Sequence, residues 1–83
     1  MTMYLLMCRS LTHAQRSARV LIRAEIPANV IKAPQALSRN GCGFCVRISE
    51  FVKDALQLLQ QAGLSPVRIY EVLPGGKYSE VSP

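Results

Sequence analysis

The sequence predicts an α+β domain, a four-stranded antiparallel sheet with two helices on one face. Three observations carry that expectation. Short apolar or alternating runs at 3–8, 28–32, 44–48 and 67–73 read as strands. Two longer segments repeat apolar residues at helical spacing. The segments follow one another in the order strand, helix, strand, strand, helix, strand.

Each element has its own signal. Residues 3–8, Met-Tyr-Leu-Leu-Met-Cys, form an apolar run too short for a globular helix, as expected of a central strand. Thr12 followed by Gln15 fits a capping box, so a helix is expected to begin there. Its apolar stripe is Ala14, Ala18, Leu21 and Ile22, continued by Glu25, while Gln15, Arg16, Arg19 and Arg23 point elsewhere. Pro27 ends it, because the residue before a proline avoids helical dihedrals. A second strand is expected at 28–32. The connection 33–43 holds Pro34, Ser38, Asn40, Gly41 and Gly43. In the third strand Phe44, Val46 and Ile48 alternate with Cys45 and Arg47, giving one buried face. Ser49 is the expected N-cap of a helix whose stripe is Phe51, Val52, Ala55, Leu56, Leu59 and Ala62, closed by Gly63. The fourth strand spans 67–73.

The order βαββαβ is the ferredoxin-like arrangement, with expected strand order 4-1-3-2. Residues 1–73 make one domain, and 74–83, rich in glycine and serine, read as a flexible C-terminal tail. Gly75-Gly76-Lys77 lacks the rest of a phosphate-loop pattern and has no helix after it.

Composition narrows the function classes. The chain has 83 residues, 49% hydrophobic and 18% charged, a globular balance that excludes a disordered chain. Ten Lys plus Arg against five Asp plus Glu give a net charge of +5, which attracts anions or simply aids solubility. There is no tryptophan and the aromatics are dispersed, so the chain is not a stacking platform. Phe44 falls on the core face of its strand, and the aromatic motif of RRM-type domains is absent, so nucleic acid is not the expected partner. The apolar start, residues 1–7, is too short for a signal peptide or a membrane span. Three cysteines, an odd count, argue against a secreted disulfide scaffold and for free thiols in a reducing cytoplasm. The first strand is apolar on both faces, so the open sheet face is a candidate for homodimerisation or a partner.

The chemistry concentrates at one sheet edge. In the expected topology the end of strand one, the start of helix one, the 33–43 loop and the start of strand three meet there, bringing together Cys8, Arg9, Ser10, Thr12, His13, Cys42 and Cys45. Gly41 and Gly43 flank Cys42 and free the backbone to present it. The thiolate is the reactive form of cysteine. A helix N-terminus and Arg9 would favour it, and His13 is a candidate proton acceptor. Cys42 is therefore read as a nucleophile or as a structural loop cysteine. The Cys42-x-x-Cys45 pair has further readings: Cys45 as a resolving thiol, as a small apolar strand residue, or as part of a metal set with Cys8, His13 and Cys42. No acid lies nearby in sequence to complete a Cys-His-acid triad.

These residues also carry a resemblance. A short N-terminal strand runs into Ser10-x-x-His13-Ala14, then a helix ends near Ile26-Pro27. Ala33-Pro34 and Leu37-Ser38 follow, and Cys42-Gly43 precedes an apolar strand. In these features, up to about Leu73, the chain resembles a bacterial family of selenium/sulfur carrier-like proteins. Pro34 through Gly43, read with Ser10 and His13, is the most specific part. The resemblance implies that Cys42 is the carrier thiol, holding sulfur or selenium as a persulfide or selenopersulfide. Ser10 and His13 match family positions near it, with Arg9, Gly41 and Gly43 beside them. It implies donor and acceptor proteins as partners and no cofactor beyond the covalent cargo, a carrier more than a turnover enzyme. Cys45 stands where an aliphatic residue is expected, which keeps the resolving and metal-binding alternatives open.

Overall fold

The structure, a computed structural model, describes residues 2–35, 37 and 43–81. The elements are β1 (Met3–Cys8), α1 (Leu11–Arg23), β2 (Asn29–Lys32), β3 (Phe44–Ile48), α2 (Val52–Gln61), β4 (Arg68–Leu73) and β5 (Lys77–Val81). Among the described residues they form two helices and one five-stranded antiparallel sheet in the order β2-β3-β1-β4-β5.

The expected four strands become five. Residues 77–81, read from sequence as part of a flexible tail, pair with β4 from Ile69↔Val81 to Leu73↔Lys77. Pro74, Gly75 and Gly76 make the hairpin loop. Gly75 and Gly76 have φ of 82° and 76°, values that side chains with a Cβ resist. The hairpin covers what would otherwise be the free edge of β4.

The two faces of the sheet have separate cores. Toward the helices, Leu6, Cys8, Val46, Ile48 and Ile69 pack with Ala14, Ala18 and Leu21 of α1 and Ala55 and Leu59 of α2. The buried stripe of α1 includes Ser17, whose hydroxyl donates to the His13 carbonyl at 2.8 Å, so its burial leaves no orphaned donor. Ile22, expected inside, is 57% exposed. Phe51, also expected in the core, is 58% exposed and sits at the α2 N-cap with a left-handed φ of 55°. Ser49 is therefore not the cap. The reversal at Phe51 lets Ile48 finish in the core before Ala55 and Leu59 turn to the sheet.

Both helices end in the same way. In α1 the Ile26 N–H donates to Leu21 O (2.9 Å) and the Glu25 N–H to Ile22 O (3.0 Å), with Glu25 left-handed. In α2 the Leu64 N–H donates to Leu59 O (2.7 Å) and the Gly63 N–H to Gln60 O (3.1 Å), with Gly63 left-handed. These are Schellman closures, each with the expected apolar contact, Ile26 near Leu21 and Leu64 near Leu59. Helix α1 thus stops at Arg23 by its own backbone hydrogen bonds, ahead of Pro27.

On the other face, Leu5 and Cys45 form a second core with Ala33, joined by Met7, Ile31, Leu37, Tyr70, Val72 and Tyr78. Of the residues after β2, Ala33 and Leu37 pack on this face. Among its described apolar residues only Met3 reaches exposed status, at 37%. No described helix is long and apolar enough to cross a membrane.

Candidate functional site

The candidate site is the corner where β1 turns into α1, beside the entry to β3. Cys8 is paired with Phe44, and the Gly43 carbonyl accepts from the Ala33 N–H at 2.9 Å. The chain therefore enters β3 beside the β1–α1 turn, as the sequence topology expects. Cys42 and Gly41, the expected carrier thiol and its neighbour, lie outside the described residues.

The turn is held by a reciprocal cap. Ser10, extended at φ −156°, is the N-cap, and its hydroxyl accepts the His13 N–H at 3.1 Å. His13 Nδ1 in turn accepts the Arg9 N–H at 3.0 Å. The logic is that of a capping box, with imidazole in place of a carboxylate. Thr12 lies inside the helix and is not its cap.

The other ring nitrogen reaches a different element. His13 Nε2 lies 3.1 Å from the Leu64 carbonyl, in the turn that closes α2. Since Nδ1 accepts from a backbone N–H, Nε2 carries the proton and donates to Leu64. One half-buried imidazole therefore ties the start of α1 to the end of α2. Both ring nitrogens of His13, the expected proton acceptor for Cys42, are thus engaged by backbone groups.

Between the two helix ends lies a shallow cleft of about 420 Å³, bordered by Arg9, Ser10, Thr12, His13, Arg16 and Ser65. Arg9 and Ser10 are exposed. They border the cleft together with the α1 N-terminus, whose first turn has no acidic residue. Positive potential gathers here from arginine and from the unpaired N–H groups of the helix.

The two described thiols are buried. Cys8 faces the helices, and Cys45 lies fully buried on the opposite face in one cluster with Ala33 and Leu37. Burial pushes the Cys8 thiol up to about 11, against a smaller opposing hydrogen bond from Ser17. Burial likewise pushes Cys45 up to about 11, with Cys8 adding a little and Arg47 opposing. Both thiols are protonated at neutral pH. Cys45 is a fully buried strand residue, as one of the sequence alternatives expects. The metal set of Cys8, His13, Cys42 and Cys45 has one member, Cys42, outside the described residues. Its two described sulfurs look to opposite sides of the sheet and its imidazole is committed to backbone groups. No cluster of three metal-ligating side chains occurs among the described residues.

Sequence reasoning missed two participants. The Leu64 carbonyl could not be seen as the partner of His13, because a backbone acceptor 51 positions away leaves no trace in residue type. Leu37 as a neighbour in the Cys45 cluster had a signal, the one large aliphatic residue of 33–43, that local pattern could not assign to a face.

A family model described as "Putative Se/S carrier protein-like" matches residues 3–71. No curated protein and no solved structure matches the chain.

Proposed function

The chain belongs to the Se/S carrier protein-like family, and from that membership we propose that it carries sulfane sulfur or selenium on Cys42. The observation that supports this assignment is the state of the other two thiols. The chain has three cysteines, and Cys8 and Cys45 are buried and held protonated. Thiolate chemistry then falls to Cys42, one peptide bond from Gly43 at the β1–α1 corner.

In the proposed step the Cys42 thiolate attacks the terminal sulfur of a donor persulfide. A new S–S bond forms to Cys42 and the donor's S–S bond breaks. The electron pair leaves with the donor thiolate, and the proton stays on the transferred sulfur. No oxidant or reductant is consumed. The reverse exchange onto an acceptor thiolate unloads the cargo. Arg9 and the α1 N-terminus favour the anionic forms on both sides. Donor and acceptor are proteins bearing reactive thiols, and the chain works as a carrier between them.

The test is intact mass measurement after exposure to glutathione persulfide, for the native chain and for Cys42→Ala. The reading expects one added sulfur in the native chain, removed by reductant and absent in the variant. A native chain that stays unmodified while Cys42 is free and reduced, or equal loading of the variant, ends it.

A further inference from the structure

The outer face of α1 concentrates the positive charge of the chain. Residues 9–23 hold Arg9, Arg16, Arg19 and Arg23 and no Asp or Glu, so they supply four of the five net positive charges. The remaining residues are close to balance, with six basic side chains against five acidic ones. At about 100° of turn per residue, Arg16, Arg19 and Arg23 fall within about 60° of one another. They lie directly opposite the buried Ala14, Ser17, Ala18 and Leu21. All three are exposed. Among the described residues the single ion pair is Arg68–Glu80, which joins β4 to β5 and involves no residue of α1.

Helix stability does not explain this face. Arg16 and Arg19 are three apart and Arg19 and Arg23 four apart, so each pair repels across one turn. A solvated face would interleave glutamate with them. Beside the arginine ridge runs an apolar flank, Leu11 at 41% and Ile22 at 57% exposure. Arginine next to exposed aliphatic surface is the composition of a protein interface, where guanidinium groups take carboxylates in pairs. A phosphate backbone would use the ridge and leave Leu11 and Ile22 without a partner.

We infer that the Arg16–Arg19–Arg23 ridge of α1, with its Leu11–Ile22 flank, is the docking surface for an acidic protein patch bearing an apolar edge. Arg9 and Arg16 also border the cleft at the β1–α1 corner, so the ridge ends at the proposed carrier edge. A protein seated on it has its own reactive group within reach of that edge. Only the naming of this protein as the cargo donor or acceptor rests on the carrier reading.

The experiment places a photo-crosslinking residue at exposed position 15 of the full chain, in cells that make the protein naturally, and sequences the adduct. The expected adduct is one protein, joined through a segment rich in Asp and Glu. Its yield falls at least tenfold in the triple variant Arg16→Glu, Arg19→Glu, Arg23→Glu, and returns when the partner's acids are changed to lysine. Circular dichroism confirms that the variant is folded, and the Arg→Gln triple serves if it is not. A nucleic-acid adduct, a segment without acidic residues, no adduct, or a fall of less than tenfold overturns the inference. Loading by glutathione persulfide needs no docking and stays unchanged in the double variant Arg19→Glu, Arg23→Glu, which leaves the cleft-lining Arg16 in place. Failure to load the native chain would count against the carrier reading and leave the docking result standing.

Discussion

Alkylation of the native chain offers a sharp test of how its three thiols are divided. Cys8 and Cys45 are both shifted from 9.0 to about 11, chiefly by burial. Two units mean about 100-fold less thiolate near neutral pH than an ordinary thiol has, and the thiolate is what iodoacetamide attacks. Access adds to this factor, because Cys45 is fully buried and Cys8 nearly so. Time-resolved mass spectrometry of the folded chain should therefore show one rapid modification, at Cys42. Modification of Cys8 and Cys45 should be slower by about 100-fold or more. In urea the three sites should converge to similar rates, since the burial that separates them is gone. The Cys42→Ala chain should show no rapid phase while folded. Labelling of Cys8 or Cys45 within tenfold of the fastest native site would refute the burial argument, and with it the assignment of the chemistry to Cys42.

Three further outcomes follow from named contacts. His13→Ala removes the bonds to the Arg9 N–H and the Leu64 carbonyl, a loss of about 1–3 kcal/mol read from urea midpoints; an unchanged midpoint would deny the imidazole its tie between the helices. Alkaline pH should destabilise the fold. The folded thiols keep protons that the unfolded chain releases above 9.0, so stability is full below pH 9 and falls as pH rises toward about 11. The loss is at most about 3 kcal/mol per thiol, and a Cys8→Ala, Cys45→Ala chain should lose correspondingly less over that range. Gly76→Ala meets no atom within 4 Å but must hold a φ of 76°, which costs about 1–2 kcal/mol; Gly76→Asn should cost less, and equal costs would place the strain elsewhere.

Sequence made legible what depends on period and missed what depends on distant partners. The apolar run of β1, the alternation of β3 and the stripes of both helices found their elements. Alternation also put Cys45 opposite Val46 and Ile48. It could not show that Ala33 and Leu37 would share a cluster with Cys45, because they stand in a stretch with no period. Strand β5 escaped for a related reason. Its two apolar residues, Tyr78 and Val81, are three apart and serve opposite faces, Tyr78 beside Val72 and Val81 beside Ile69. No single-face alternation was there to read, and Pro74-Gly75-Gly76 resembled the start of a tail. At α1 the sequence pattern reads Thr12 with Gln15 as the cap, whereas the structure uses a second pair, Ser10 with His13. The second prevails because a histidine at the third helical position can accept the Arg9 N–H and still reach Leu64.

The commitment of His13 to backbone groups bears on what kind of chemistry the corner suits. Hydrolysis or acyl transfer by a cysteine needs a base that takes and returns a proton, and an imidazole bonded through both nitrogens is poorly free to do so. Sulfane exchange asks for less. A thiolate attacks, a thiolate leaves, and the transferred sulfur keeps its proton, so no base acts within the step. What the step rewards is a site that favours anions on both sides of the exchange. That can be supplied by fixed charge, and this corner has it in Arg9 and the α1 N-terminus. On the carrier reading the histidine's place is to hold that helix end still. His13→Ala should then weaken the fold while leaving the pH dependence of loading, measured in the folded range, where it was. A loading profile that loses a titration step in the variant would return His13 to the chemistry.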